Sequence, residues 1–305
     1  MKKHYLPLLA ILLAVFACQK PASNPGPGTG GSTQKFAVNF KVSGFSQVIA
    51  GNNARSADTS VLQNVQQLIY VVFDANTKAI VSEQTRTVGD TTFGEFRDSL
   101  PVGRYVVTVT GIKDTTGAYR SAFDPPGVAL TQQGSDVFYK RAIISVNNSV
   151  DANMELDRVV SKLVYQFKGR VPFNAKTVSI WPYIAEDPYA LSSFLDFYSG
   201  TNMMSQHFIY DRYAYSIPDS LVGREGLTVN TYMMNPTGPI SADITITVMD
   251  AANNTIGGRG INSVILKNNQ TTLLSGYLFD SIPAGGGVQV IVNPNWGIDT
   301  IKVDF

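Results

Sequence analysis

Short stretches in which apolar and polar residues alternate, separated by Gly, Pro and Asn, recur through most of this sequence. In the first of them Phe36, Val38, Phe40 and Val42 fall on one face of an extended chain. Alternation with a period of two predicts a β-strand that buries one face. Turn signals separate about seven such strands between residues 36 and 156, a spacing typical of an antiparallel β-sandwich.

The remaining sequence continues the same pattern. Residues 68–73 form an unbroken apolar run, which predicts a strand buried on both faces or central in a sandwich sheet. A second series of strands opens with the alternating stretch 159–167, so we place a domain boundary just before it, near Asp157. We therefore expect an all-β fold, with one sandwich in residues 36–156 and another in residues 157–305.

Three local features of the second series predict something other than a regular central strand. Pro182 interrupts a predicted strand that carries Trp181 and suggests that this strand lies at a sheet edge. Residues 187–200 predict a short helix that Asp187 caps and Gly200 ends. The glycines at residues 257–260 predict a turn.

The amino terminus carries an export signal. Residues 1–17 combine a cationic start with an apolar run, and Cys18, the only cysteine of the chain, follows at once. This anatomy is that of a secretory signal and not of a spanning helix. Cys18 resembles the lipidated cysteine of a bacterial lipobox, although Phe16 is larger than the residue usual at its position. The alternative is an ordinary signal peptide with a coincidental cysteine.

Processing before Cys18 narrows the chemistry that the chain can perform. It leaves 288 of 305 residues with 22 basic and 23 acidic side chains, a balance without the positive field that nucleic acids require. His207 becomes the only histidine, and a lipidated Cys18 leaves no free thiol. A Cys-His pair is then impossible and zinc lacks its commonest ligands. We expect no catalytic residues, no metal and no cofactor.

Residues 18–35 link the lipidation site to the first strand. They are rich in Gly, Pro and Ser, a composition that buries no core and behaves as a flexible tether. Residues 19–23 lack acidic side chains, so nothing in this segment itself indicates which face of the outer membrane carries the protein.

The order of several motifs resembles one family of bacterial proteins. After the lipobox and tether come LIYVVFD at residues 68–74, LPVGRY at 100–105, MELDRVVSKL at 154–163 and VILKNNQTTLLSGYLF at 264–279. This order resembles the fimbrillin-like lipoproteins of Bacteroidetes, which include fimbrial shaft subunits and the minor subunits that anchor or cap them. The resemblance spans nearly the whole mature chain.

The resemblance implies two transthyretin-like β-sandwiches in tandem, lipid anchoring in the outer membrane, and a place on the cell surface or in a fimbrium. It implies partners, either other fimbrial subunits or further copies, that bind by β-strand addition. Shaft subunits of this family lose an amino-terminal strand to an arginine-directed protease. Arg55 lies in a polar break after the first strand and is a candidate site, although a plain surface arginine is the simpler interpretation.

A second hypothesis rests on aromatic residues. The region from Trp181 to Tyr215 is dense in them, and Trp181, Tyr183, Tyr210 and Tyr213 are candidates for binding a glycan or a partner. Most aromatic residues of this region are expected in the core. The sequence therefore favours a non-enzymatic, lipid-anchored surface protein similar to a fimbrial subunit or anchor, with a glycan-binding lipoprotein as the alternative.

Overall fold

A computed structural model describes residues 34–48, 55–57, 65–122, 124–184, 193–201, 213–235, 238–279, 290–293 and 302–304. The chain groups into two compact units, Met1–Thr33 and Gln34–Phe305, and all described residues belong to the second. They form β-strands, turns and a 3-10 turn at Asp219–Leu221. The all-β class expected from the alternating pattern is confirmed.

The strands follow one another along the whole described chain. Those of the first half are β1 (Lys35–Val48), β2 (Arg55–Ala57), β3 (Gln67–Asp74), β4 (Ile80–Thr87), β5 (Glu95–Pro101), β6 (Gly103–Ile112), β7 (Ala118–Ser121), β8 (Gly127–Leu130), β9 (Val137–Val146) and β10 (Val150–Arg158). Those of the second half are β11 (Val160–Lys168), β12 (Thr177–Tyr183), β13 (Phe194–Asp196), β14 (Tyr213–Ser216), β15 (Thr228–Met234), β16 (Ile240–Met249), β17 (Thr255–Leu266), β18 (Thr271–Tyr277), β19 (Val290–Asn293) and β20 (Lys302–Asp304).

The first half is built around one large sheet with the order β2-β1-β10-β9-β6-β3-β4, and β5 pairs with β1. Only two residue pairs, Asp157 with Tyr139 and Arg158 with Phe138, join β10 to β9. The two parts of the sheet face each other beyond this corner and enclose what we call the N-terminal core, whose buried residues lie between Val38 and Leu156. Inside it Tyr70 stacks on Phe96 with ring centroids 5.0 Å apart.

The second half contains two sheets, with the orders β15-β11-β18-β19 and β14-β12-β16-β17, and β20 pairs with β18. They enclose the C-terminal core, whose buried residues lie between Leu163 and Leu278. The predicted inward face of β11 is confirmed, because Leu163, Tyr165 and Phe167 are all buried there.

A further core joins the two halves. This shared core contains Ile69, Val71 and Phe73 from β3, together with Leu195, Phe197 and Met234 from the second half. Every side chain of β3 from Leu68 to Phe73 is therefore buried, as the unbroken apolar run predicts. The small sheet β13-β8-β7 also draws strands from both halves. A domain boundary at residues 156/157 stays a prediction.

Three local expectations are wrong. Phe194–Asp196 is strand β13, added to β8, and not part of a helix; residues 185–192 lie outside the described residues. The glycines at residues 257–260 lie inside β17 and form no turn. β12 is not an edge strand, since it pairs with both β14 and β16, although at Pro182 the described pairing is with β16 alone.

Candidate functional site

Strand β1 supplies a row of side chains to the N-terminal core. Val38, Phe40 and Val42 are at most 2 % exposed, whereas Lys41 on the opposite face is exposed. The face predicted from the alternating pattern is therefore confirmed. Burying each apolar side chain of this size contributes roughly 1.5–3 kcal/mol, so β1 is an integral part of the core.

Strand β1 is also hydrogen-bonded on both edges. Its residues Lys35–Lys41 pair antiparallel with β5, and its residues from Val38 to Ser46 pair parallel with β10. A central strand of this kind satisfies backbone donors and acceptors of both neighbours. Without β1, the N-terminal core would hold a cleft with an apolar floor and two unpaired strand edges.

The candidate processing site lies directly after this strand. Arg55 is the first residue of β2, and its backbone pairs with Val48 at the end of β1. A cut after Arg55 would therefore separate the whole of β1 from the rest of the chain. Cys18, the predicted lipidation site, lies outside the described residues.

The solvent-facing side of β1 is polar. With β5 and β10 it floors a surface depression of about 450 Å³ that Asn39, Lys41, Glu95, Arg97 and Asp151 help to line. The Asn39 amide donates to the Asp151 carboxylate at 2.7 Å, and Glu95 lies 3.8 Å from the Lys41 ammonium. Exposed pairs of this kind contribute little to stability. They cover the outer face of β1 with polar groups while its inner face is apolar.

The candidate aromatic residues do not form one surface. Trp181 and Tyr183 lie side by side on β12, partly exposed, with ring centroids 5.0 Å apart and planes tilted by 36°. Tyr213 is only 4 % exposed, and its hydroxyl donates to the Tyr232 carbonyl oxygen at 3.1 Å. Tyr210 lies outside the described residues.

Other aromatic residues of this region have structural roles. Phe194 and Phe197 are fully buried, as expected of most members. Tyr198 fastens the second half of the chain to the first: its ring lies edge-on to Phe73, and its hydroxyl donates to the Ala75 carbonyl oxygen at 3.2 Å. Arg141 adds a bond from Nε to the Tyr198 carbonyl oxygen at 2.8 Å.

Sequence reasoning missed a buried ionic cluster between the halves. Asp136 precedes β9 and Arg158 ends β10; both are at most 6 % exposed, and Arg158 Nε lies 3.6 Å from Asp136 Oδ1. Arg158 also donates to Asn269 Oδ1 at 2.6 Å, and its guanidinium lies over the Phe138 ring. The cluster thus ties the first half to the β17–β18 turn. The motif at residues 154–163 contains Arg158, but no local spacing points to its partners.

Burial shifts the pKa values of several groups in this cluster. Burial lowers the pKa of the Arg158 guanidinium, and the nearby Asp136 opposes that shift. Burial likewise lowers the pKa of Lys162, and burial together with Asp136 raises the pKa of Tyr232 to about 12. Burial is the largest cause of each of these shifts, and we call this buried cluster the electrostatic joint.

The described residues contain no group of three or more His, Cys, Asp or Glu side chains placed to hold a metal ion. Among the same residues, no helix is long and apolar enough to cross a membrane.

No protein-family model and no curated protein sequence matches the chain. Solved structures do resemble it. A candidate adhesin of Bacteroides ovatus has a TM-score of 0.51 at 10 % identity, over 75 % of this chain and 83 % of that one. The fimbrial anchor protein Mfa2 of Porphyromonas gingivalis has a TM-score of 0.48 at 12 % identity, over 79 % of this chain and 90 % of that one.

A second candidate adhesin, from Bacteroides thetaiotaomicron, gives a TM-score of 0.49 at 10 % identity, over 85 % of this chain and 95 % of that one. Of these three structures, the candidate adhesin of Bacteroides ovatus has a TM-score above 0.5, and it supports the assignment of the fold. The resemblance that the sequence motifs suggested is confirmed at the level of the fold: this chain has the all-β fold of a Bacteroides candidate adhesin.

Proposed function

We propose that this chain is a non-enzymatic, lipid-anchored surface protein of the fimbrial or adhesive type, which joins a neighbouring subunit by strand exchange. The observation that carries the proposal is the position of β1, central in its sheet yet first among the described strands. The partner would be another fimbrial subunit or a further copy of the chain.

The geometry explains why an exchanged strand would bind. A partner strand in the place of β1 would pair with β5 and β10 and return three buried side chains to the N-terminal core. Such β-augmentation gains affinity from main-chain hydrogen bonds and specificity from alternate side chains. Replacing Val38, Phe40 and Val42 contributes roughly 5–9 kcal/mol of apolar burial, before the cost of ordering the incoming strand.

The anchor would act through the tether. As the tether that their composition predicts, residues 19–34 would span roughly 20–25 Å root-mean-square, enough to hold the folded part clear of headgroups. The tether joins β1 at Lys35, at the end of the sheet far from the junction with the second half, because Lys35 pairs with Pro101 while Ser46 pairs with Asp157. We propose attachment to the outer membrane with the second half directed away from it.

The test of strand exchange uses cleavage. The soluble mature chain without residues 1–18 is treated with an arginine-specific protease, with and without a labelled peptide of residues 35–48. We expect cleavage at Arg55 to allow uptake of the peptide or polymerisation, measured by size-exclusion chromatography. The matched Arg55→Ala variant should stay monomeric and unlabelled. Uptake by that variant, or none by the cleaved chain, would contradict the proposal.

The anchor is tested in cells. The amino terminus of the mature protein is sequenced, and detergent partitioning is compared with that of a Cys18→Ser variant. A lipidated Cys18 supports an anchoring subunit, and a start at Ser56 supports a shaft subunit that has lost β1. An unlipidated chain that starts elsewhere would overturn both forms of the proposal.

A further inference from the structure

The glycines of β17 have an unusual setting. Gly260 is exposed in the middle of a strand and does not have a positive φ angle. A Cβ atom added there would meet nothing within 4 Å, whereas one on Gly258 would lie 3.1 Å from the Ile246 carbonyl oxygen. Neither backbone conformation nor crowding requires glycine at position 260. Glycine within a strand costs stability, and it often marks a place where a ligand approaches the backbone.

Gly260 lies in one cross-strand row with Trp181, which is partly exposed. Thr245 of β16 pairs with Trp181 on one side and with Gly260 on the other. Directly paired residues share a face of the sheet, and neighbouring strands are about 4.8 Å apart, so Gly260 lies roughly 10 Å from Trp181. The missing side chain leaves open space at Gly260, and we call the row Trp181–Thr245–Gly260 the lane.

Polar groups border this lane. Thr245, Thr247 and Asp243 alternate with buried residues along β16 and therefore point outward. One carboxylate oxygen of Asp243 accepts the backbone N–H of Ser263 at 2.8 Å, which fixes its orientation at the β17 bulge. Among the described outward-facing residues of β14, β12, β16 and β17, Asp243 carries the only charge.

We infer that this outer face, centred on Trp181, Tyr183 and Gly260, is a binding site for a neutral polysaccharide. The apolar face of a pyranose ring stacks on an aromatic side chain, and its hydroxyls bond to threonine and aspartate at the rim. The single negative charge disfavours uronic or sulfated sugars. The open lane admits a chain of sugar rings that a side chain at position 260 would block. This site is independent of strand exchange.

The inference is tested by affinity electrophoresis of the mature chain in gels that contain dextran, mannan or xylan, with polygalacturonate as the anionic comparison. We expect retardation by at least one neutral polysaccharide. Trp181→Ala and Gly260→Val should each weaken it tenfold or more. The valine variant should keep its stability, because β-branched residues suit strands and a Cβ at this position meets nothing within 4 Å.

Phe173→Ala is the matched control, since this side chain is 85 % exposed but lies on a loop outside the face. It should leave retardation unchanged. Retardation by polygalacturonate alone, or by none of the four polymers, would overturn the inference. So would a Gly260→Val variant that folds and still binds normally. If the test of strand exchange failed, the retardation expected for each of these variants would not change.

Discussion

Strands β1 and β11 hold the same position in their respective cores and differ in how the chain holds them. Each lies between an antiparallel and a parallel neighbour: β5 and β10 for β1, β15 and β18 for β11. Each buries alternate apolar side chains. However, β1 follows a separate amino-terminal unit, whereas β11 follows β10 after a single residue, Val159.

That difference bears on the strand exchange proposed above. The backbone of Val159 donates to the Val137 carbonyl oxygen at 3.0 Å, and the neighbouring Arg158 is held in the buried ionic cluster. β11 cannot leave its sheet without disturbing both halves. β1, by contrast, is the first of the described strands, and no described strand precedes it in the chain. Both strands are needed for the stability of their cores because they are buried. Only β1 is connected to the rest of the chain in a way that would allow another strand to replace it.

The largest expected effect compares the two strands directly. Phe40→Ala in β1 and Phe167→Ala in β11 each remove a ring that is at most 2 % exposed, and each should cost about 3–5 kcal/mol in urea unfolding. A peptide of residues 35–48 in trans should restore stability to the Phe40 variant alone. Rescue of the Phe167 variant, or of neither, would show that the two strands are equally fixed.

The second-largest effect tests the buried ionic cluster beside Val159, which distinguishes β11 from β1. Arg158→Met leaves the buried carboxylate of Asp136 without its guanidinium partner and should destabilise by about 3 kcal/mol. Adding Asp136→Leu removes that charge and should restore most of the loss, since Lys113 is half exposed and becomes hydrated. Chemical denaturation of the single and double variants measures both. A double variant as unstable as the single one would count against the electrostatic joint.

A smaller effect separates the two cores by their tyrosines. The Tyr70 hydroxyl is buried without a hydrogen-bond partner among the described residues, so Tyr70→Phe should stabilise by about 1 kcal/mol. Tyr213→Phe loses the bond to Tyr232 and should destabilise by about 1 kcal/mol. Thermal melts of the two variants should therefore shift in opposite directions. Equal shifts would mean that the two hydroxyls have equivalent surroundings.

Tyr70 also gives the N-terminal core an alkaline sensitivity. Burial, with a smaller part from Asp98, raises the pKa of Tyr70 well above its ordinary value of 10.0. The folded state therefore keeps this proton after the unfolded state has lost it. The stabilisation is complete below pH 10 and declines above it, so the Tyr70→Phe variant should lose less stability than the parent between pH 9 and pH 11.

The smallest effect concerns turn carboxylates, which both halves use alike. Hydrogen bonds from turn residues lower the pKa of Asp74 in the first half and of Asp250 in the second below the ordinary 3.8. Their contribution is present above that value and is lost as pH falls through each lowered pKa. Asp74→Asn and Asp250→Asn should each reduce the change in Tm between pH 5 and pH 3. An effect in one half only would mark a real difference between them.

The spacing of apolar and polar residues predicted those parts of the fold that depend on neighbouring residues alone. The inward face of β1 and the two-sided burial of β3 follow from which residues are apolar and at what spacing. Phe194–Asp196 was misjudged because its conformation comes from pairing with β8, more than sixty residues earlier in the chain. Tertiary pairing of that kind leaves no trace in a window of neighbouring residues.

The residues of the candidate sites likewise fall into two groups: those that neighbouring residues reveal and those that only the assembled fold brings together. Trp181 and Tyr183 are recognisable because they are two residues apart in sequence and therefore lie on one strand face. Gly260 gains its meaning only from the register that brings it beside Thr245, and its glycine neighbours suggested a turn instead. Arg158 and Asp136 meet across a sheet corner that depends on the whole first half being assembled.

The parallel pairing of β1 with β10 also sets an order of events. Val38 lies beside Val150, so β1 is synthesised more than a hundred residues before this parallel neighbour. Until then β1 can pair with β5 alone of the neighbours β5 and β10, and its other edge stays open to chaperones and to misassembly. Once β10 arrives, the covalently attached β1 competes at an effective concentration of the order of millimolar. Folding kinetics therefore favour pairing of β10 with the chain's own β1 over pairing with a strand from another subunit.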